Sequence, residues 1–305
     1  YYDVLLDKDN RLRCSWNPVG TKQGRVSSSK TVFDTGANLQ NQPEEMLRLM
    51  LADPGNIMVK QDLSQAENRV VAYIANEHNM IKAFDAGIDI HRHTASLIYG
   101  VDPLAITDEQ RQMGKKSNHG LNYDMGYLRF AILHMMPNNE ARFIVERFHL
   151  IYPGVRQWHS AIRQRLAKDR KLVNLFGRVR VFMDRWGDEM FKEAYSYIPQ
   201  STVAERLNQS LCDAYNSGEI DLLNNIHDAI LYQLPLSLSS AGILSRIIQV
   251  KALLESPLEV DGRRFFIPAD TKIGFNALDM VKIDFATINA QDLRATINEG
   301  LAKLD

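Results

Sequence analysis

Two aspartates lie where a carboxylate can hold a metal ion. Asp62 follows the short apolar run 57–59, which predicts a strand that continues into a helix after the aspartate. Asp228 lies at the tip of a predicted tight hairpin, between the apolar runs 222–226 and 230–234. If both strands belong to one sheet, the two carboxylates can bind two Mg²⁺ ions, whose other ligands would be water and a substrate phosphate.

A second set of residues recurs every four positions and suits a nucleotide. Arg111, Lys115, His119 and Tyr123 would follow one stripe of a helix. Two cations suit a triphosphate, and a flat ring can stack on a base. Taken alone, the stripe is more typical of a solvated helix face, and the pair His227-Asp228 is more typical of a surface turn. The functional interpretation therefore depends on the whole set.

Composition limits the class of protein. The chain has 305 residues, of which 45% are hydrophobic and 24% charged, as in a globular protein with a substantial core. A net charge of −1 argues against a uniformly basic nucleic-acid binder but allows a local basic surface. Cys14 and Cys212 fit no zinc or redox spacing, so we expect reduced thiols and a cytoplasmic location. No apolar run is long enough to span a bilayer, so no membrane partner is expected. Because the chain opens on Tyr1 without a Met, we expect a fragment or a processed protein.

The pattern of apolar residues predicts an α+β fold, with a β-sheet that holds both Asp-bearing strands and a helical insertion between them. Strands are predicted at 57–59, 222–226, 230–234 and 265–268, and hairpins at 2–16 and 171–182. Helices are predicted through most of 67–148 and at 44–51, 141–150, 155–169, 192–215, 240–254 and 290–303.

Three stretches together resemble the polymerase motifs of family A, the bacterial polymerase I-like DNA polymerases. The first motif, DxSQxExR, is matched by Asp62, Ser64, Gln65, Glu67 and Arg69. The second, RxxxKxxNFGxxYG, is matched by Arg111, Lys115, Asn118, Gly120 and Tyr123. The third, HDE, is matched by His227 and Asp228. Flanking stretches agree in order and rough spacing, so the resemblance covers nearly the whole chain: 24–28, 38–41, 89–91, 152–154 and 199–200.

This resemblance implies the right-hand polymerase architecture, an antiparallel palm sheet with flanking helices and a helical fingers insertion. The first part of the palm would be residues 1–75, the fingers 76–175 and the second part of the palm 176–305. The family's thumb helices and exonuclease precede the first motif, and this chain begins too late to include them in full. The divergence is more typical of a phage enzyme than of a cellular repair polymerase, which would place the protein in the host cytoplasm.

The implied function is template-directed DNA synthesis, in which deoxynucleotides are added to a primer 3′-hydroxyl by two-metal-ion nucleotidyl transfer. The implied cofactors are two Mg²⁺ ions, for which Mn²⁺ can substitute. The implied partners are primer-template DNA and deoxynucleoside triphosphates, and a processivity factor is a further candidate partner.

Carried over by motif position, Asp62, Asp228 and the Leu63 carbonyl would bind the metal ions. Lys115 would also donate a proton to the leaving group, and Glu67 would occupy the space that a ribose 2′-hydroxyl needs. The nucleotide would be bound by Gln65, Glu67, His91, Arg111, Lys115, His119 and Tyr123. Primer-template DNA would be contacted by Arg25, Asn38, Gln40, Asn41, Gln200 and His227. The basic stretch 156–180 fits a template-strand track and a solvated helix face equally well.

Three positions depart from the family pattern and leave alternatives open. His119 replaces the usual Phe or Tyr, which puts sugar selectivity in doubt. Asp124 replaces a Gly, and Ala229 replaces the Glu of HDE, for which we expect weaker metal handling. One alternative is a single-subunit RNA polymerase of the phage type, against which Glu67 and its SQxE context argue. The other is a primer-template-binding module with weakened catalysis, suggested by Ala229 and Asp124.

Overall fold

The computed structural model describes residues 4–302. The strands are β1 (Ser15–Asn17), β2 (Ser27–Ser29), β3 (Asn56–Leu63), β4 (Lys171–Val173), β5 (Val179–Val181), β6 (Asp221–Ile226), β7 (Ala229–Pro235), β8 (Leu258–Val260), β9 (Arg263–Phe265), β10 (Ala269–Gly274) and β11 (Met280–Ile283). The helices are α1 (Glu44–Arg48), α2 (Ala66–Ile74), α3 (His78–Asp85), α4 (Ile90–Tyr99), α5 (Asp108–Leu121), α6 (Tyr127–His134), α7 (Asn138–Ile151), α8 (Pro153–Asp169), α9 (Asp188–Asn216), α10 (Ser240–Leu254) and α11 (Ala290–Leu301). A short 3₁₀ turn covers Pro103–Ala105.

The chain divides into two compact units. The first comprises residues up to Ser64, the segment 204–257 and the residues from Phe265 onward, and the second comprises 65–203 and 258–264. Sequence reasoning places these boundaries at 75/76 and 175/176 instead. The observed division follows packing, because Val71 of α2 and Tyr195 of α9 both belong to the hydrophobic core of the second unit. The assignment of palm and fingers to these units stays a prediction.

The first unit is built on a five-stranded antiparallel sheet in the order β11-β10-β3-β7-β6. Along β3, Val59, Gln61 and Leu63 are buried, whereas Lys60 and Asp62 point to the opposite, more open face. The predicted hairpin at 222–234 is confirmed as β6 and β7. Its tight turn has His227 in the left-handed region, with φ 53°.

Two strand predictions are wrong. Residues 265–268 do not form a strand of their own, since β9 ends at Phe265 and the next strand, β10, begins at Ala269. The turn at 7–10 forms, but β1 pairs with β2 rather than with the residues before the turn. Residues 2 and 3 of that predicted hairpin lie outside the described part of the chain. β2 consists of three serines and offers no apolar signal, so its pairing could not be read from hydrophobic alternation.

The second unit is helical, and two glycines allow its helices to approach closely. A Cβ at Gly114 of α5 would lie 2.0 Å from the carbonyl oxygen of His91 on α4, so only glycine fits there without displacing backbone. A Cβ at Gly154, in the first turn of α8, would lie 2.9 Å from the Ala75 carbonyl oxygen. The hairpin predicted at 171–182 is confirmed as β4 and β5. Within residues 4–302, no helix combines the length and apolar character that a bilayer crossing requires.

Candidate active site

The structure brings Asp62 and Asp228 together on one sheet, as the sequence predicts. Asp62 pairs in register with Ala229 of β7. The next backbone N–H, that of Leu63, donates to the Asp228 carbonyl oxygen at 3.1 Å. Since β3 and β7 are adjacent strands, the two carboxylates occupy neighbouring positions at the same end of the sheet.

The charges around these carboxylates favour a cation. Burial raises the pKa of Asp62 above its usual value, Lys60 partly offsets this, and the negative charges of Asp228 and Asp270 raise the pKa further. Arg25 Nη2 lies 3.0 Å from Asp228 Oδ1 and offsets part of this negative charge. Asp62 remains exposed to solvent, and a partly desolvated carboxylate near two others is stabilised in its charged form when a cation binds beside it.

The oxygen donors at this end of the sheet fit an open Mg²⁺ site better than a closed structural metal site. Among residues 4–302, no group of three or more His, Cys, Asp or Glu side chains is arranged to hold a metal ion. Mg²⁺ usually keeps several waters and takes only one or two carboxylates from the protein, together with substrate phosphates. Asp62, Asp228 and the Leu63 carbonyl oxygen supply such an open oxygen set.

The sequence analysis missed a third carboxylate, Asp270 of β10, which pairs in register with Asp62 on the side opposite Ala229. Asp270 Oδ1 also forms a 2.7 Å ion pair with Lys282. Ala229, which stands where the family pattern has Glu, is 1% exposed. The alternation of buried Ala269, Thr271 and Ile273 with polar residues could have revealed β10 as a strand. The register that places Asp270 beside Asp62 has no such local signal.

The nucleotide stripe largely follows α5, as predicted. Arg111, Lys115 and His119 lie on the helix, which begins with a capping box at Thr107 and Gln110. The helix ends at Leu121, so Tyr123 lies in the following turn rather than on the helix. The rings of Tyr123 and His119 still meet edge to face, with centroids 6.5 Å apart.

The predicted phosphate ligand Arg111 already has a carboxylate partner. Its Nη2 and Nε atoms lie 2.6 Å and 2.9 Å from Asp89 Oδ2. Asp89 also caps α4, because its other oxygen accepts the backbone N–H of His91 at 2.8 Å. Burial tends to raise the pKa of Asp89, but Arg111 and the backbone N–H groups outweigh it and the net shift is downward. Asp89 therefore fixes the first turn of α4 and the Arg111 guanidinium together.

His91 is buried and neutral. It is 7% exposed, and burial, helped by the nearby cations Arg111 and Lys115, lowers its pKa to about 4. Asn118 Nδ2 lies 3.1 Å from His91 Nδ1. An amide nitrogen can only donate, so His91 Nδ1 accepts and the proton is on Nε2. His91 can therefore meet a phosphate as an N–H donor and not as a cation.

Glu67 accepts two hydrogen bonds within the second unit. The Tyr123 hydroxyl donates to Glu67 Oε2 at 2.6 Å, and Gln200 Nε2 lies 3.4 Å from the same oxygen. Gln65, another predicted nucleotide ligand, precedes α2 with a positive φ of 53°. Its Oε1 accepts the Ile90 backbone N–H at 3.2 Å, so Gln65 supports the start of α4.

Most residues predicted to contact primer-template DNA also support the local fold. Gln40 Nε2 donates to the Val26 carbonyl at 2.9 Å and to Asn225 Oδ1 at 3.1 Å. Asn38 Oδ1 accepts the Gln40 backbone N–H at 2.9 Å. Asn41 is exposed, as is His227 at the tip of the β6–β7 turn. The amide-rich loop 38–42 therefore lies against β2 and β6 of the first unit.

Asp124, which stands where the family pattern has Gly, adopts the backbone conformation that a glycine favours, with φ 61°. Its Oδ1 lies 2.6 Å from Arg156 Nη1, and its Oδ2 lies 3.1 Å from Arg163 Nη2. Other cations of the basic stretch also have protein partners, since Arg165 pairs with Asp169 at 3.0 Å and Arg180 pairs with Glu193. Much of the predicted template-track charge is thus compensated inside the second unit.

Comparison with known proteins decides the family. The sequence model of DNA polymerase family A matches residues 2–265. The chain belongs to DNA polymerase family A. The predicted resemblance to this family is therefore confirmed.

Individual relatives agree with this assignment. DNA polymerase I of Chloroflexus aurantiacus is 31% identical over 257 residues, which cover 77% of this chain and 26% of that protein. The thermostable DNA polymerase I of Thermus aquaticus is 28% identical over 276 residues, which cover 85% of this chain and 32% of that protein. The chain thus spans about a quarter to a third of the length of these curated relatives.

A solved structure confirms the fold class. The polymerase domain of Pol1 from M. smegmatis, in complex with DNA primer-template and dNTP, superimposes with a TM-score of 0.76 at 20% identity. The match covers 89% of this chain and 48% of that one. The predicted α+β polymerase fold, an antiparallel sheet with flanking helices and a helical insertion, is therefore correct.

Proposed function

We propose that the chain is the polymerase portion of an enzyme that adds deoxynucleotides to a primer 3′-hydroxyl under the direction of a DNA template. The observation that carries this proposal is the placement of Asp62 and Asp228 at the same end of adjacent antiparallel strands, in a chain of DNA polymerase family A. The relatives named DNA polymerase I, and the M. smegmatis structure with primer-template and dNTP, support the same substrates.

In the first unit, Asp62, Asp228 and the Leu63 carbonyl would hold two Mg²⁺ ions, or Mn²⁺ in their place. When bound, such ions lower the pKa of a hydroxyl nucleophile and offset charge on the transferred and leaving phosphates. The ion pair between Arg25 and Asp228 would have to loosen as the carboxylate takes up its metal ligand role. Arg25 and His227 would then contact the primer end.

In the second unit, Arg111 and Lys115 would bind the triphosphate. Lys115 is exposed and lies one helical turn from Arg111, so its ammonium group can reach a phosphate and donate a proton to the leaving pyrophosphate. His91 would add an N–H donor from Nε2. The rings of His119 and Tyr123 would lie along the sugar and base, and the Glu67 carboxylate would occupy the space of a 2′-hydroxyl.

Primer extension tests this proposal. The protein is incubated with a labelled primer-template, Mg²⁺ and either dNTPs or NTPs, and product length is measured. We expect extension with dNTPs that Asp62→Asn and Asp228→Asn abolish, while binding of the duplex, measured by fluorescence anisotropy, stays close to that of the unmodified protein. We expect duplex binding to be retained because it depends mainly on phosphate contacts rather than on these two carboxylates.

Two outcomes would replace the proposal. A preference for NTPs would favour the single-subunit RNA polymerase. Duplex binding without extension, in either Mg²⁺ or Mn²⁺, would favour the primer-template-binding module with weakened catalysis. The ion pairs of Asp124 with Arg156 and Arg163 support a structural role for this residue, so the case for this module rests mainly on Ala229.

A further inference from the structure

Two adjacent hydrogen bonds join α2 to the C-terminal end of α5 within the second unit. Asn122 Nδ2 donates to Asn68 Oδ1 at 2.8 Å. The Tyr123 hydroxyl donates to Glu67 Oε2 at 2.6 Å. Asn68 follows Glu67 in the chain and Asn122 precedes Tyr123, so both bonds join the same two segments.

Of the four residues in these two bonds, Asn122 is the buried one, whereas Glu67, Asn68 and Tyr123 are half-buried. Asn122 is 2% exposed, and its Oδ1 atom has no hydrogen-bond partner among the residues that the structure describes. A buried amide costs free energy unless it is hydrogen-bonded, so the bond to Asn68 is what compensates for the burial of Asn122. Opening it would leave both the Nδ2 and the Oδ1 atom of the Asn122 side chain without a hydrogen bond.

A third contact fixes Asn122 from the other side. The Nε2 atom of His159 on α8 lies 2.8 Å from the Asn122 carbonyl oxygen, and His159 is itself 3% exposed. A carbonyl can only accept, so His159 Nε2 carries the proton and donates. Asn122 is thus held by α8 through its backbone and by α2 through its side chain.

From these contacts we propose that Asn68 and Asn122 are positioning residues for discrimination against ribonucleotides. They hold α2 and the end of α5 at the separation that sets the Glu67 carboxylate beside Tyr123. This inference rests on the proposed function, in which Glu67 excludes the 2′-hydroxyl of the incoming sugar. Glu67 and Tyr123 are half-buried and next to the proposed nucleotide, so their bond can rearrange when a nucleotide binds. The bond between Asn68 and Asn122, anchored by the buried Asn122 side chain, keeps the spacing while it does.

The test compares kcat/KM for a dNTP and for the matching rNTP in single-nucleotide primer extension. Asn68→Ala removes the acceptor, and a misplacement of about 1 Å can change a rate by 10²-fold, so we expect the dNTP-to-rNTP ratio to fall by about 10-fold or more. The change should come from a lower KM for the rNTP, because the excluded sugar gains space. Asn68→Asp keeps an acceptor oxygen at the same position and should preserve the ratio.

Two comparisons separate positioning from general loosening. If Asn68 acts through Glu67, adding Asn68→Ala to Glu67→Ala should change the ratio no further, since the group being positioned is already absent. Ile144→Val, in the buried core of α7, lowers stability without touching this contact and should leave the ratio unchanged. Melting temperatures of all variants are recorded beside the kinetics.

The outcomes distinguish the two proposals. If the unmodified protein discriminates between sugars and Asn68→Ala retains its ratio, the positioning role is overturned and the polymerase function stands. The positioning role is also overturned if Ile144→Val lowers the ratio as much as Asn68→Ala does. If the unmodified protein extends no primer, the proposed function fails and the positioning role fails with it.

Discussion

Asp124 gives the sharpest stability prediction, because two opposing effects meet at one residue. Its backbone is in the left-handed region, which costs a residue with a Cβ about 1–2 kcal/mol. Its carboxylate pairs with Arg156 and Arg163, whose side chains are 49% and 46% exposed while that of Asp124 is 20% exposed. Pairs with partners this exposed contribute about 0.2–1 kcal/mol each, so the two together contribute about 0.4–2 kcal/mol.

Three substitutions separate these terms. Asp124→Asn still tolerates the backbone conformation but loses the charge, so we expect a loss of about 0.4–2 kcal/mol in the free energy of unfolding. Asp124→Gly loses the same ion pairs but relieves the backbone, and should lie within about 1 kcal/mol of the unmodified protein. Asp124→Ala loses the pairs and adds strain, because alanine tolerates the left-handed region less well than Asp or Asn, so it should be less stable than Asp124→Asn by about 1 kcal/mol.

Urea unfolding at 25 °C, followed by circular dichroism at low salt and in 1 M NaCl, measures these differences. The difference in the free energy of unfolding between the unmodified protein and Asp124→Asn should shrink in high salt, because salt screens exposed ion pairs. Equal stability of these two proteins at low salt would refute the ion-pair contribution. A glycine variant less stable than the alanine variant would refute the backbone argument.

Two further predictions concern the α4–α5 pair. The folded-state pKa of His91, about 4, lies below its ordinary value of 6.5, so His91 contributes stability above pH 6.5 that is lost as the pH falls toward 4. The loss in the free energy of unfolding should reach about 3 kcal/mol and should be missing from His91→Gln, as measured by urea unfolding across pH 4–8. If His91→Gln is as pH-sensitive as the unmodified protein, the loss does not come from His91. Gly114→Ala places a Cβ 2.0 Å from the His91 carbonyl oxygen and should destabilise the protein by about 2 kcal/mol or more. Gly126→Ala, with no atom within 4 Å of the added Cβ, is its control, and equal melting temperatures for the two variants would contradict the close approach.

Candidate site residues could be located from the sequence where the side-chain chemistry coincides with a local secondary-structure pattern. Asp228 could be placed on a turn because apolar runs flank it on both sides, and the shared sheet with Asp62 followed from the family motifs. The α5 stripe could be placed because it follows a capping sequence and keeps a four-residue spacing over Arg111 to His119. These features depend on residues close together in the chain.

The features of the site that could not be predicted depend on contacts between residues far apart in the chain. Asp270 becomes relevant only through the register of β10 with β3, about two hundred residues apart in the chain. The pairing of Arg111 with Asp89 and of Asn122 with Asn68 depends on how helices pack, which no local periodicity encodes. Asp124 is predicted to depart from the family pattern, but its two arginine partners on α8 could be found only from the folded structure.

The close approach at Gly114 also bears on how the proposed nucleotide site could be re-engineered. Because α4 and α5 touch backbone to backbone and share the Asp89–Arg111 ion pair, His91, Arg111 and Lys115 belong to one rigid pair of helices. A change meant to shift one of these proposed phosphate ligands would shift the others with it. New nucleotide preferences are therefore more accessible by exchanging side chains on the fixed pair, at His119 for example, than by altering the backbone of either helix.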